Sequence, residues 1–195
     1  MAALTILAVM VVASVAALLS PRLMERAVLR PYFIARKSGY WRLLTSGFVH
    51  ADIAHLLFNL ITYYSFAFTL EHVIGTGRFV SLYFCGLLAS GIGTCIKHRD
   101  EPNYASLGAS GAILAVLFAS IVYFPRGRLL ILPIPIPIPA PLFAVLYLAW
   151  SYYSSRNSKG RINHDAHIGG ALTGLAFVAL TDPRRFMALL RYLMG

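Results

Sequence analysis

The chain has 195 residues, of which 58% are hydrophobic and 12% charged, with a formal net charge of +10; its mean hydropathy is +0.71. A soluble domain carries about 25% charged residues, so this composition excludes a water-soluble globular domain. Apolar runs of bilayer-crossing length recur along the chain and predict a polytopic membrane protein. The arginines sit singly or in pairs between those runs, as flanks for anionic headgroups rather than a nucleic-acid patch.

Six spans are predicted, forming an all-α helix bundle in a single membrane domain over residues 1–195, with no separate soluble domain. The first is Ala3–Ser20. It has the apolar character of a signal-peptide core, but no basic residue precedes it and further spans follow, so a retained span is expected. A long basic connection, Pro21–Asp52, carries Arg22, Arg26, Arg30, Arg36, Lys37 and Arg42 together with Tyr32, Phe33, Tyr40 and Trp41. That mixture predicts a loop folded onto the membrane surface. The second span is Ile53–Val73, stopping at "GTGR". The third is Phe79–Ile96, ending at "KHRDEPN"; it holds both cysteines, Cys85 and Cys95. Ten residues of helix put them about 15 Å apart, too far to pair within it.

The fourth span begins at Ser110 and stops before Pro125. Its length is only about 22 Å against a hydrocarbon core of about 30 Å, which sets Ser110 below the surface if the other end reaches its own. Next comes "LPIPIPIPAP", residues 132–141. Proline at alternate positions forbids helix and removes sheet donors, so an extended apolar spacer is expected. The fifth span, Pro141–Tyr153, carries Tyr147, Trp150, Tyr152 and Tyr153, and the sixth is Ala166–Thr181, before "DPRR".

Polar residues inside the spans are few, and such residues face the bundle interior and mark functional candidates. His55 and Asn59 lie four apart on one face of the second span, and His167 lies near the start of the sixth. Even-numbered spans cross in the same direction, so His55, Asn59, Ser110 and His167 belong near one membrane face. After Ser110 the fourth span repeats small residues at Gly111, Ala115 and Ala119; the sixth does so at Ala166, Gly170 and Gly174. Small-residue stripes let helices approach closely. Stripe docked on stripe places Ser110 and His167 within hydrogen-bond reach, which a serine nucleophile and its base require. Asp165, two residues before His167, points to the other side of the helix, so a dyad rather than a triad is expected. His164 is expected to be solvated. Gly108 and Ala109 make a tight entry to the fourth helix. The amides of Ala109 and Ser110 are expected to be free donors for an oxyanion, alongside His55 and Asn59.

These residues resemble the rhomboid family of intramembrane serine proteases. "GASG" at 108–111 is similar to its nucleophile motif, "AHIGGALTG" at 166–174 to its histidine helix, and "HLLFN" at 55–59 to its second-span motif. "WR" at 41–42 and "LEHVIGTGR" at 70–78 match its first-loop dipeptide and its turn into the third span. The resemblance implies hydrolysis of peptide bonds in or beside transmembrane segments of membrane-protein substrates, with no metal or cofactor. It implies Ser110 as nucleophile, His167 as base and acid, and His55, Asn59 and the Ser110 amide at the oxyanion. It also implies Trp41 and Arg42 as supports of the first loop, and Glu71 as a support of the membrane core. The implied location is a bacterial inner membrane with the site opening extracytoplasmically.

The sequence departs from the pattern twice. An aromatic residue often stacks on the base from the position four after the serine; here that position is Leu114, so another aromatic must substitute or the imidazole is held less firmly. And the face expected outside the cytoplasm carries eleven Lys and Arg (six in the first loop, then Lys97, Arg99, Arg156, Lys159 and Arg161), against six opposite (Arg78, Arg126, Arg128, Arg184, Arg185 and Arg191). The positive-inside rule favours the reverse orientation. Two rival readings have less support. An inactive relative that retains client helices would usually have lost the serine or the histidine. A small transporter would show an inverted repeat or interrupted helices in both halves, which the sequence lacks.

Overall fold

The structure is a computed structural model describing residues 1–131, 134–157 and 162–195. Among the described residues, three helices are long and apolar enough to cross a bilayer: α1 (Ala2–Leu19), α5 (Ile53–Ile74) and α6 (Thr76–Lys97). The later predicted spans are also helical: α7 (Ser110–Tyr123), α8 (Ala140–Asn157) and α9 (His164–Thr181). Chain chemistry sets their ends. Asp52 caps α5, its carboxylate accepting the His55 N–H at 2.7 Å. Gly75, at φ +82°, closes α5 and lets the chain turn straight into α6.

The first connection is more ordered than its composition suggests. It folds as α2 (Pro21–Ala27), α3 (Pro31–Ala35), α4 (Arg42–Thr45) and a 3₁₀ turn, Ser46–Phe48. Both α2 and α3 start on proline, whose fixed φ and missing donor suit that position. Of the "LPIPIPIPAP" spacer, residues 134–139 are extended, as the prolines demand, but they are not unpaired, and Ala140 and Pro141 already form the start of α8. Ile134–Pro139 (β2) runs antiparallel to Arg128–Ile131 (β1), with Leu129 opposite Ile138. Alternation puts the nitrogens of Pro135, Pro137 and Pro139 on one edge, leaving the other edge free to bond, as in an edge strand. Leu132 and Pro133 of the spacer lie outside the described residues. A last helix, α10 (Pro183–Met194), follows the sixth predicted span; Asp182 caps it, its side chain accepting the Arg185 N–H at 3.2 Å.

The core is built around α7, in which every residue from Gly111 to Val122 is buried. Helices α5, α6, α8 and α9 pack on it, and α1 packs outside them against α5. Helix α1 is tied down by Glu71, which is 3% exposed. Its carboxylate accepts the Ala2 and Ala3 amides at 2.8 and 2.9 Å and the Thr76 hydroxyl at 2.8 Å. The two amides are first donors of α1 that lack a partner within the helix, met by a carboxylate at its positive end.

Candidate active site

Close approach of α7 and α9 is what the small residues permit. A Cβ on Gly170 would lie 2.9 Å from the Cα of Gly111 and nearer still to its carbonyl oxygen. A Cβ on Gly174 would lie 2.9 Å from the Cα of Ala115. The two stripes are therefore docked backbone to backbone. Gly111 in turn faces Ser90 of α6, leaving no room for a side chain there either.

This packing brings the heads of α7 and α9 together. The Ser110 hydroxyl and His167 Nε2 are 2.8 Å apart. Asp165 is turned away and pairs with Lys97, so no carboxylate reaches the imidazole. The other ring nitrogen, Nδ1, lies 2.9 Å from the hydroxyl of Tyr147 on α8. Leu114 is buried in the apolar cluster between α7 and α8. No ring stacks on His167 from the Leu114 position; Tyr147 instead meets the imidazole end-on through its hydroxyl, centroids 6.4 Å apart. His164 is not solvated: it is 5% exposed and packs edge-on against Trp150 at 4.9 Å. The helix start that lifts it clear of water is capped by Asn163. That side chain accepts the Ala166 amide at 3.0 Å and donates to the hydroxyls of Thr94 and Ser106 at 2.9 and 3.3 Å.

The loop entering α7 is held from below. Gly108 sits at φ +112°, a conformation that favours glycine, and a Cβ there would meet the His55 ring at 2.9 Å. Its amide donates to the Ser46 carbonyl at 2.8 Å. The Ala109 amide is not a free donor: it donates to His50 Nε2 at 3.4 Å. The Ser14 hydroxyl donates to the Phe48 carbonyl at 2.9 Å, so its oxygen accepts from His50 Nδ1 at 2.8 Å. His50 is fully buried. With Nδ1–H donating and Nε2 accepting, it is a neutral ring linking α1 to the serine loop. Burial pushes its pKa down to about 4, with the neighbouring His55 adding to the effect. No spacing pattern in the sequence singles out His50, which lies five residues before His55 in the loop entering α5.

No side chain caps the start of α7, so the first amides of the helix, Ser110 among them, keep unspent donors. Asn59 is buried, and its side-chain amide donates to the His55 carbonyl at 2.8 Å. His55 and Asn59 line the same cleft as Ser110 and His167. The cleft measures about 1330 Å³ and extends from Gly108 down between α5 (Phe58, Thr62, Phe66) and α8 (Phe143, Tyr147). Small-molecule sites run to about 300–1,000 Å³; this one is larger, and residues of α6 and β1 line it as well.

Trp41 and Arg42 lie away from the cleft. Arg42 donates to the carbonyls of Glu25 and Val28 at 2.6 and 2.8 Å, and Trp41 Nε1 to that of Arg26 at 3.4 Å. The segment they hold is strapped to the approach to α7 by paired amides of Leu29 and Ser106, at 2.8 and 3.0 Å.

Comparison with known proteins gives the family. Residues 37–184 match the family model described as the Rhomboid domain. The chain is 34% identical over 146 residues to the rhomboid protease GluP of Bacillus subtilis (strain 168), covering 74% of this chain and 27% of that protein. It is 30% identical over 147 residues to the presenilin-associated rhomboid-like protein, mitochondrial, of Rattus norvegicus, covering 70% of this chain and 37% of that one. It is 28% identical over 144 residues to RHOMBOID-like protein 12, mitochondrial, of Arabidopsis thaliana, covering 66% and 43%. The aligned region is thus well under half the length of these relatives.

Proposed function

The chain belongs to the rhomboid family of integral, multi-pass membrane proteins, and from that premise we propose that it is an intramembrane serine endopeptidase acting on transmembrane segments of other proteins. The observation that carries the reading is the 2.8 Å contact between the Ser110 hydroxyl and His167 Nε2, in a cleft lined by residues of α5 and α8. In this reading His167 takes the hydroxyl proton as Ser110 Oγ attacks the scissile carbonyl. The oxyanion that forms is met by the Ser110 amide, His55 and Asn59; Ala109, whose amide is engaged with His50, is left out of that set. His167 then gives the proton to the leaving amine. Water, deprotonated by the same imidazole, attacks the acyl-enzyme, and the proton returns to Ser110 as the second product leaves. The cleft's size and the exposed apolar residues on α5 and α8, which line it, support a polypeptide substrate presented from the bilayer.

We place the enzyme as a single domain in a bacterial inner membrane, with the dyad toward the extracytoplasmic side. The test is covalent labelling by a fluorophosphonate. Wild type reacts at Ser110 and cleaves a model transmembrane substrate, whereas Ser110→Ala and His167→Ala do neither while remaining folded. The double variant is no worse than either single one, because the pair acts as a unit. Unimpaired cleavage by either variant refutes the role given to that residue.

A further inference from the structure

We propose that Tyr147 is the positioning residue of His167, taking through a neutral phenol the place that a carboxylate holds in a catalytic triad. This rests on reading Ser110 and His167 as the dyad. For Nε2 to accept the Ser110 proton, the neutral imidazole must carry its own proton on Nδ1, and that tautomer is set by whatever Nδ1 bonds. Asp165 is engaged with Lys97 on another side of the helix. The His164 ring stands edge-on, 6.1 Å from His167, and its Nδ1 has no hydrogen-bond partner among the described residues. The Tyr147 hydroxyl is at 2.9 Å. Its oxygen accepts the Nδ1–H and leaves the Nε2 lone pair facing Ser110.

The phenol suits its surroundings. An ionised carboxylate in this apolar part of the bundle would carry a large desolvation cost, which a phenol avoids. The ring is also fixed. Phe143 stacks on it at 5.5 Å and 25°, and Phe118 and Trp150 close on it at 6.0 and 6.1 Å. The phenol proton needs its own acceptor. Ser151, four residues on along α8, is fully buried and its Oγ has no partner among the described residues; it is the group available to take that proton. Tyr147 thus acts on the reaction through His167 without touching the scissile bond. It does so from α8, of which only Ala140, Ser151 and Ser154 are buried.

Tyr147→Phe removes the hydroxyl and keeps the ring. The expected result is a fall of about tenfold or more in both kcat and the rate of fluorophosphonate labelling at Ser110, the scale on which misplaced catalytic groups lose rate. KM and the thermal midpoint stay near wild type. Labelling needs no substrate helix in the cleft, so a role confined to docking would leave its rate unchanged. In ¹⁵N-histidine-labelled protein, the His167 signal moves from the Nδ1–H tautomer toward Nε2–H; a packing role would not move it, even if the variant were less stable. Ser151→Ala gives a smaller change in the same direction. Wild-type labelling rate and an unchanged tautomer in Tyr147→Phe overturn the assignment of Tyr147 and leave the dyad standing. Absence of labelling at Ser110 in the wild type overturns both.

Discussion

A single methyl group at position 170 is the most economical perturbation of this site. The added Cβ would stand 2.9 Å from the Cα of Gly111 and 2.8 Å from its carbonyl carbon, atoms of a backbone that cannot swing aside. Carbon atoms in contact sit about 3.5–4.0 Å apart, so α9 and α7 must separate by roughly 1 Å to admit it. The Ser110–His167 contact of 2.8 Å would open by a similar amount, out of hydrogen-bond range. A displacement of about 1 Å costs on the order of 10²-fold in rate, and overpacking costs about 1–3 kcal/mol of stability. Gly170→Ala is therefore expected to lose about two decades of kcat. Its thermal midpoint in detergent should fall by roughly 2–12 °C, taking the usual response of chains this size. Gly169→Ala is the matched control: its Cβ would meet nothing closer than the Ser90 Cα at 3.6 Å, an ordinary contact. Initial cleavage rates, labelling rates and unfolding curves in one detergent read all three quantities. Wild-type cleavage by Gly170→Ala, or equal damage from Gly169→Ala, would refute the claim that backbone contact at this point sets the dyad.

Two further outcomes test the supports of the site. Glu71→Ala removes a buried acceptor of three hydrogen bonds; at about 1.5–3 kcal/mol for each bond to a charge, partly offset by relaxation, it should lower stability by several kcal/mol. Its kcat at low temperature should hold near wild type, and a wild-type unfolding curve would show that α1 is anchored by other means. His50 gives the fold a dependence on acid. Its pKa of about 4 in the folded protein lies below the ordinary 6.5, so the unfolded chain binds the extra proton more readily. Its contribution is complete above about pH 6.5 and is lost as pH falls toward 4, by up to about 3 kcal/mol. Thermal midpoints measured across that range should fall less steeply in His50→Phe than in wild type, and parallel slopes would count against the assignment.

Much of this was legible because the bilayer makes polar residues conspicuous. The helix bundle followed from apolar runs, and the convergence of Ser110 with His167 followed from two patterns, span parity and small-residue spacing. Both patterns are local in sequence and become contacts only when α7 and α9 pack. What the sequence did not give is equally physical. His50 and Tyr147 act through partners far away in the chain, 59 residues off at Ala109 and 20 off at His167. Neither belongs to a periodic pattern that would single it out. Tyr147 was read as one of several interfacial aromatics, and nothing local separates it from Trp150 or Tyr152. The Ala109 amide was counted free because helix-start donors usually are; a buried imidazole from another loop takes it. His164 was assigned to water from its place at the end of a span, but Trp150 and the Asn163 cap enclose it.

The excess of positive charge at the dyad end bears on the same point. Positive-inside counting treats each Lys and Arg as a free topological marker. Arg42 in this structure spans two backbone carbonyls of α2 and its exit. Arg36 donates to the carbonyls of Tyr32 and Arg99 at 3.1 and 3.2 Å, joining the first loop to the end of α6. Arg30 pairs with Glu25 at 2.7 Å, and Lys97 pairs with Asp165. A planar guanidinium that bridges carbonyls in fixed directions cannot be replaced by a neutral side chain, nor by a lysine of equal charge. Arg36 and Arg42 hold a helical loop together and against the end of α6, whichever side of the membrane that loop faces. Four of the eleven charges at this end, Arg30, Arg36, Arg42 and Lys97, are thus engaged by loop architecture, and those four weigh correspondingly less as signs of orientation.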